Sequence, residues 1–134
     1  MKTFTYKDYK NCYFIVGSYI RNNMAMEIRI ENAEGAIMGC TIYNDSFFYT
    51  PSIVAIKNYS ENSHITEFLM KLGIIKEIIN RIPCNFYVLD TFKTDNPQTI
   101  DFCFIDNDKL KEYCKSWNGR IYYAAYEQPG IDLL

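Results

Sequence analysis

The sequence predicts an α+β fold, a mainly antiparallel β-sheet with two or three short helices packed on one face. Three observations predict it. Met24, Met26, Ile28 and Ile30 alternate with Ala25, Glu27, Arg29 and Glu31, the period of two that a strand with one buried and one wet face requires. Asn32-Ala33-Glu34-Gly35 follows at once as a hairpin turn, which makes the pairing antiparallel. Ile65, Phe68, Leu69 and Leu72 recur at i, i+3, i+4 and i+7, the apolar stripe of an amphipathic helix.

The other elements follow in chain order. Phe4 and Tyr6 flank a short first strand, and Lys7-Asp8-Tyr9-Lys10-Asn11 supplies a turn. Cys12–Ile20 is a nearly continuous apolar run suited to a central strand. Arg21-Asn22-Asn23 turns the chain, because Asn tolerates left-handed backbone angles. After the strand over Met24–Glu31, Ala36–Tyr43 returns with Met38, Cys40 and Ile42 on one face. Asn44–Ser52 is a loop and Ser52–Lys57 a strand. Asn62 or Ser63 caps the helix, and Gly73 ends it. Ile74, Ile75, Ile78, Ile79 and Ile82 fit a second short helix stopped by Pro83, although their β-branching suits a strand equally. Asn85–Phe92 and Thr99–Ile105 form a second hairpin around Lys93-Thr94-Asp95-Asn96-Pro97. Asp106 or Asn107 starts a final helix with Leu110, Tyr113, Cys114 and Trp117 on one stripe, and Asn118-Gly119 stops it.

Composition sets the class. A chain of 134 residues suits one domain. Hydrophobic residues at 49% and charged residues at 22% are ordinary for a globular protein and exclude a disordered tail, a collagen-like rod or a coiled coil. A net charge of −2 supplies no polycationic field for nonspecific nucleic-acid binding. Ile greatly outnumbers Val although the two pack alike, so the skew points to AT-rich codons and a low-GC bacterial or mobile-element genome. Met1–Lys7 lacks the apolar core of a secretory signal, and the five cysteines are odd in number with no Cys-x-x-Cys pair. A reduced, cytoplasmic setting is the expectation. No run of apolar residues reaches membrane-spanning length.

Familiar catalytic signatures are absent from the sequence. His64 is the one histidine, so a Cys-His pair would have to join it to Cys12 or Cys40. There is no Gly-x-Ser-x-Gly elbow, phosphate-binding glycine loop, zinc helix or EF-hand loop. Widely spaced cysteines read better as small buried hydrophobes than as metal ligands. The expectation is a protein without catalytic residues, metal or cofactor.

Two surfaces remain as contact candidates. Asp90, Asp95, Asp101, Asp106 and Asp108 gather in the second hairpin and the helix start, opposed there by Lys93. They could hold a divalent cation or face a basic partner, but turn and cap chemistry, with Asp95 in the loop and Asp106 or Asp108 at the helix start, is the better reading. Aromatic residues make up 16% of the chain, and Phe47, Phe48, Tyr49, Tyr122, Tyr123 and Tyr126 fall outside the clear core stripes. Tyr favours interfaces through its large apolar body and polar tip. The expected partner-binding set is therefore Phe47, Phe48, Tyr49, Asp90, Asp95, Asp101, Tyr122, Tyr123 and Tyr126. The alternative is nucleic acid stacked on Tyr13, Tyr19 and Tyr43 beside Lys10, Arg21 and Arg29.

Ala55-Ile56-Lys57-Asn58-Tyr59, Phe68-Leu69-Met70-Lys71-Leu72-Gly73-Ile74 and Phe104–Glu112 resemble a family of small uncharacterised proteins. These proteins are encoded on conjugative elements and phages of low-GC Gram-positive bacteria, and the likeness covers roughly residues 24–112. The chain departs from the family in lacking a Gly-rich stretch before the last strand and in carrying Ile74–Ile82 where a loop is usual. The resemblance implies an accessory protein of a mobile element, a class that includes inhibitors of host defence. Non-enzymatic binding of a host protein, such as a CRISPR effector, is the resulting expectation. A second copy of the chain is a further candidate partner.

Overall fold

Alternation builds the first sheet as its spacing predicts. β1 (Phe4–Tyr6), β2 (Tyr9–Tyr19), β3 (Asn22–Asn32) and β4 (Gly35–Gly39) pair antiparallel in chain order. The computed structural model describes residues 1–19, 22–42, 52–84 and 98–115. Met26, Ile28 and Ile30 are buried while Arg29 is exposed, so β3 has the inner and outer faces that its sequence demands. The first turn is tighter than expected. Tyr6 pairs with Tyr9, leaving Lys7-Asp8 as the whole turn, with Lys7 at φ 52°. Asn32 Oδ1 accepts the Glu34 N–H at 2.9 Å in the β3–β4 turn, as a side chain that mimics backbone turn geometry does.

β4 is shorter than the strand expected over Ala36–Tyr43, because the chain changes sheets at Cys40. The Cys40 N–H donates to the Ile28 carbonyl at 2.8 Å, and the Cys40 carbonyl accepts from the Lys57 N–H at 2.8 Å. Thr41 then bridges Ile56, and the Ile42 N–H reaches the Ala55 carbonyl at 2.9 Å. Three residues thus connect the meander to a second sheet, where a single sheet was expected.

That second sheet contains β5 (Ile53–Asn58), β6 (Ile75–Pro83) and β7 (Thr99–Ile105) in the order β5-β7-β6, all antiparallel. The isoleucine-rich segment is therefore strand. Its β-branched side chains fit a pleated surface, and Ile75 and Ile78 face the core while most of the strand is exposed. The expected hairpin of Asn85–Phe92 with Thr99–Ile105 is corrected. β7 is central and has both edges occupied, by β5 and β6, and its hairpin partner is β6. Asn85–Phe92 itself lies outside the described residues.

α1 (Ile65–Lys71) buries Ile65 and Leu69 and packs Phe68 and Leu72 against the core, the predicted stripe. Its cap differs from expectation. His64 occupies the N-cap at φ 77° without a side-chain cap bond. Asn62 instead donates to the Gly39 carbonyl at 2.6 Å, and the Ser63 hydroxyl donates to the Ser60 carbonyl at 3.0 Å. Both side chains are committed elsewhere. α2 (Asn107–Glu112) is capped as predicted, Asp106 Oδ1 accepting the Lys109 N–H at 3.1 Å. It ends sooner than its apolar stripe suggested, because Tyr113–Lys115 run along the edge of β2. There the Phe14 N–H donates to Tyr113 O at 2.8 Å and the Lys115 N–H to Phe14 O at 3.2 Å. Trp117 lies outside the described residues.

Both sheets and both helices share one buried core. At its centre the Phe4 and Phe14 rings lie 4.6 Å apart, with Phe68 5.6 Å and Tyr113 5.8 Å from Phe4. These four rings come from β1, β2, α1 and the end of α2, so aromatic packing joins the meander to the helices. The result is a small α+β fold.

Gly73 ends α1 at φ +79°, and an added Cβ would meet the Lys109 side chain at 3.2 Å. Lysine methylenes can move aside, so the left-handed backbone sets the cost. Gly73→Ala is expected to destabilise the protein by about 1–2 kcal/mol, measured by urea unfolding. Gly73→Asn should recover part of that loss, because Asn tolerates this conformation.

Candidate functional site

β7 carries apolar side chains on both faces, and the two faces have different roles. Thr99, Asp101, Cys103 and Ile105 alternate toward α1 and the core, all buried. Ile100, Phe102 and Phe104 point the other way. Register places Ile53, Ala55 and Lys57 of β5 beside Phe104, Phe102 and Ile100, and Glu77, Asn80 and Ile82 of β6 on their other side. The outer face is thus apolar at most positions and charged at two diagonal corners, Lys57 and Glu77, but it is not open to water across its width.

Ala55 and Phe102 at its centre are buried, but Phe104 is 38% and Ile82 41% exposed. These two lie at opposite ends of the face, and Ile79 is 43% exposed at a break in the β6 register. Two such irregularities, between Ile75 and Glu77 and between Ile78 and Asn80, interrupt β6, and Pro83 ends it. Bulges and a terminal proline blunt a sheet edge against indiscriminate strand pairing. What β6 leaves open is side-chain surface more than backbone edge.

The inner face holds the strongest electrostatic feature. Asp101 is 0% exposed. Its Oδ1 accepts from Arg81 Nε at 3.1 Å and from the Thr99 hydroxyl; its Oδ2 accepts from the Thr66 hydroxyl at 2.6 Å and Arg81 Nη2 at 3.4 Å. Four donors from β6, β7 and α1 converge on one carboxylate. The Thr66 N–H also donates to Asn58 Oδ1 of β5 at 3.3 Å. Each carboxylate oxygen has two donors, the condition under which a buried charge is tolerated.

This geometry removes Asp101 from the expected acidic contact edge. Its alternation parity in β7 turns the side chain inward, where it ties α1 to β6, and an interior carboxylate cannot meet a partner protein. Of its acidic neighbours, Asp106 caps α2, while Asp108 is exposed in the first turn of that helix. Phe47, Phe48, Tyr49, Asp90, Asp95, Tyr122, Tyr123 and Tyr126 lie outside the described residues. Ile79, Ile82 and Phe104 were not singled out from the sequence. For Phe104 a signal was present in Thr99–Ile105, where apolar residues occupy both alternating sets, more than one buried face requires.

Tyr13, proposed as a stacking platform, is buried on the outer face of the first sheet. Its hydroxyl donates to the Asn32 carbonyl at 3.1 Å, and Lys115 Nζ sits 5.1 Å from its ring centroid. Beside it, Arg29 lies 3.7 Å from Glu31. The ring is therefore unavailable to a base, and its cationic neighbour is paired with a carboxylate. Tyr43 and Arg21 lie outside the described residues.

Cys12, Cys40 and Cys103 are buried. Burial raises all three thiols above the usual range, and the Asp101 charge helps push Cys103 up to about 12. Protonated thiols are poor nucleophiles and poor metal ligands. His64 is exposed. Among the described residues, no group of three or more His, Cys, Asp or Glu is placed to hold a metal ion, and no helix is long and apolar enough to cross a membrane.

Tyr6 is also pushed up to about 12, first by burial and then by Cys40 and Glu61. A raised pKa means that the fold prefers the protonated form. The stabilisation is complete below the unfolded-state values, about 9 for the thiols and 10 for Tyr6, and is lost as pH rises toward 12. Stability by urea unfolding should therefore fall between pH 8 and pH 11; a flat profile over that range would contradict these burials. At the acid end, Glu61 is lowered to about 2, first by the Ser60 side chain and then by backbone and Lys57 contacts. Its contribution has the opposite sign, present above about 4.5 and lost as pH falls toward 2, and solvent screening keeps it small at so exposed a position.

No family model, curated protein or solved structure matches the chain.

Proposed function

We propose that this protein is a binding module, an inhibitor or adaptor that acts by covering part of another protein. The observation that carries this reading is the exposure of three large apolar side chains on one sheet, Phe104 near one end of its outer face, Ile82 near the other, and Ile79 at the β6 register break. Single exposed apolar residues are normal; several on one rigid three-stranded sheet are what a contact surface can use. Glu77 and Lys57 at opposite corners of the patch would provide its polar rim. Phe47, Phe48, Tyr49, Tyr122, Tyr123 and Tyr126 are the further aromatic contacts proposed from sequence, and Asp90 and Asp95 the acidic ones. The mobile-element resemblance and low-GC composition support a bacterial host protein as partner, with a CRISPR effector or other defence protein as the specific candidate.

The test begins with a photo-crosslinking residue at position 104, expressed in a low-GC Gram-positive host. A specific protein adduct is expected, followed by binding of that purified protein to the wild-type chain. Ile82→Glu should weaken this binding at least tenfold while leaving the unfolding midpoint nearly unchanged, because the side chain is already in contact with water. Interference by an active CRISPR system should then be measured with and without the chain. Absence of any specific adduct, or unaltered binding by Ile82→Glu and Phe104→Glu alike, would remove the patch from consideration. Undiminished interference would remove the CRISPR assignment alone.

A further inference from the structure

We draw no further inference here: the strongest candidate, the surface groove between the β1–β2 and β3–β4 turns lined by Asp8, Tyr9, Lys10, Asn11, Asn32, Ala33 and Glu34, is an open polar surface of solvated side chains with no buried, unpartnered group aimed into it, so nothing in the structure says what it would hold.

Discussion

Arg81→Met is expected to destabilise the protein by about 3 kcal/mol. The substitution keeps most of the aliphatic stem of Arg81 but removes two of the four donors to Asp101. A carboxylate with 0% exposure would then rest on the Thr66 and Thr99 hydroxyls alone. Breaking a buried ion pair by removing one partner costs about 3–5 kcal/mol, mostly through the charge left behind. The lower end applies because the Arg81 side chain is 45% exposed, so water can approach the vacated position. Urea unfolding at neutral pH reads the change directly, with Lys76→Met on the same strand as an exposed control. Thr66→Val should cost less, about 1.5–3 kcal/mol for one hydrogen bond to a charged group. The two losses should not add, because both act on the same carboxylate. If Arg81→Met were no more harmful than the Lys76 control, Asp101 would not depend on this ion pair, and the tie between α1 and β6 would have to lie elsewhere.

Phe14→Ala is expected to be more damaging still, by about 3–5 kcal/mol. Phe14 is fully buried and packs against Phe4 at 4.6 Å and Tyr113 at 6.2 Å. Removal of the ring leaves a cavity between β1, β2 and the end of α2, where the backbone is also held by the Phe14–Tyr113 hydrogen bond. A loss of this size is a large fraction of the roughly 5–15 kcal/mol by which folded proteins are stable, so the variant should unfold at a much lower temperature than the wild type. Near-ultraviolet circular dichroism should lose aromatic signal together with unfolding midpoint. Phe14→Leu, which retains much of the volume, should cost distinctly less. Equal losses for Leu and Ala would show that ring contacts matter more than volume. Neither variant touches the proposed contact patch, so both serve as stability controls for partner binding. A binding defect in Phe14→Leu that tracks its unfolding is a folding effect, whereas one in Ile82→Glu without unfolding is a surface effect.

Much of the architecture was legible because its signals are local. The alternation from Met24 to Glu31, the Asn32–Gly35 turn, the Ile65–Leu72 stripe, the Gly73 stop and the Asp106 cap each depend on residues within a few positions of one another. The isoleucine segment was ambiguous for a physical reason. Ile74, Ile75, Ile78, Ile79 and Ile82 match helical spacing, while two register breaks in β6 shift the strand's own period away from two. A bulged strand therefore imitates a helix in sequence. The pairing of β7 was misread because β6 and β7 are separated by the segment 85–97, and proximity in sequence favoured a nearer partner.

The candidate site was less legible. Asp101 looked like one member of an acidic run, and only its position in β7, opposite Arg81 and beneath Thr66, made it an interior ion pair. In sequence Phe104 reads only as part of the strand Thr99–Ile105, with no contact role. Facing outward does not by itself expose it, since Phe102 on the same face is buried; Phe104 sits next to the end of β7.

By itself the sequence determined the antiparallel meander, the existence of the two short helices, the stop of the first at Gly73 and the cap of the second at Asp106, and the absence of familiar catalytic motifs. These are consequences of side-chain period, turn geometry and residue chemistry. Only the tertiary structure decided that the chain changes sheets at Cys40, that β7 is central, that Asp101 is buried and that Ile79, Ile82 and Phe104 face water. Each of those depends on contacts between residues far apart in the chain, where the free energy of burial and pairing is set by the partner and cannot be read from either segment alone.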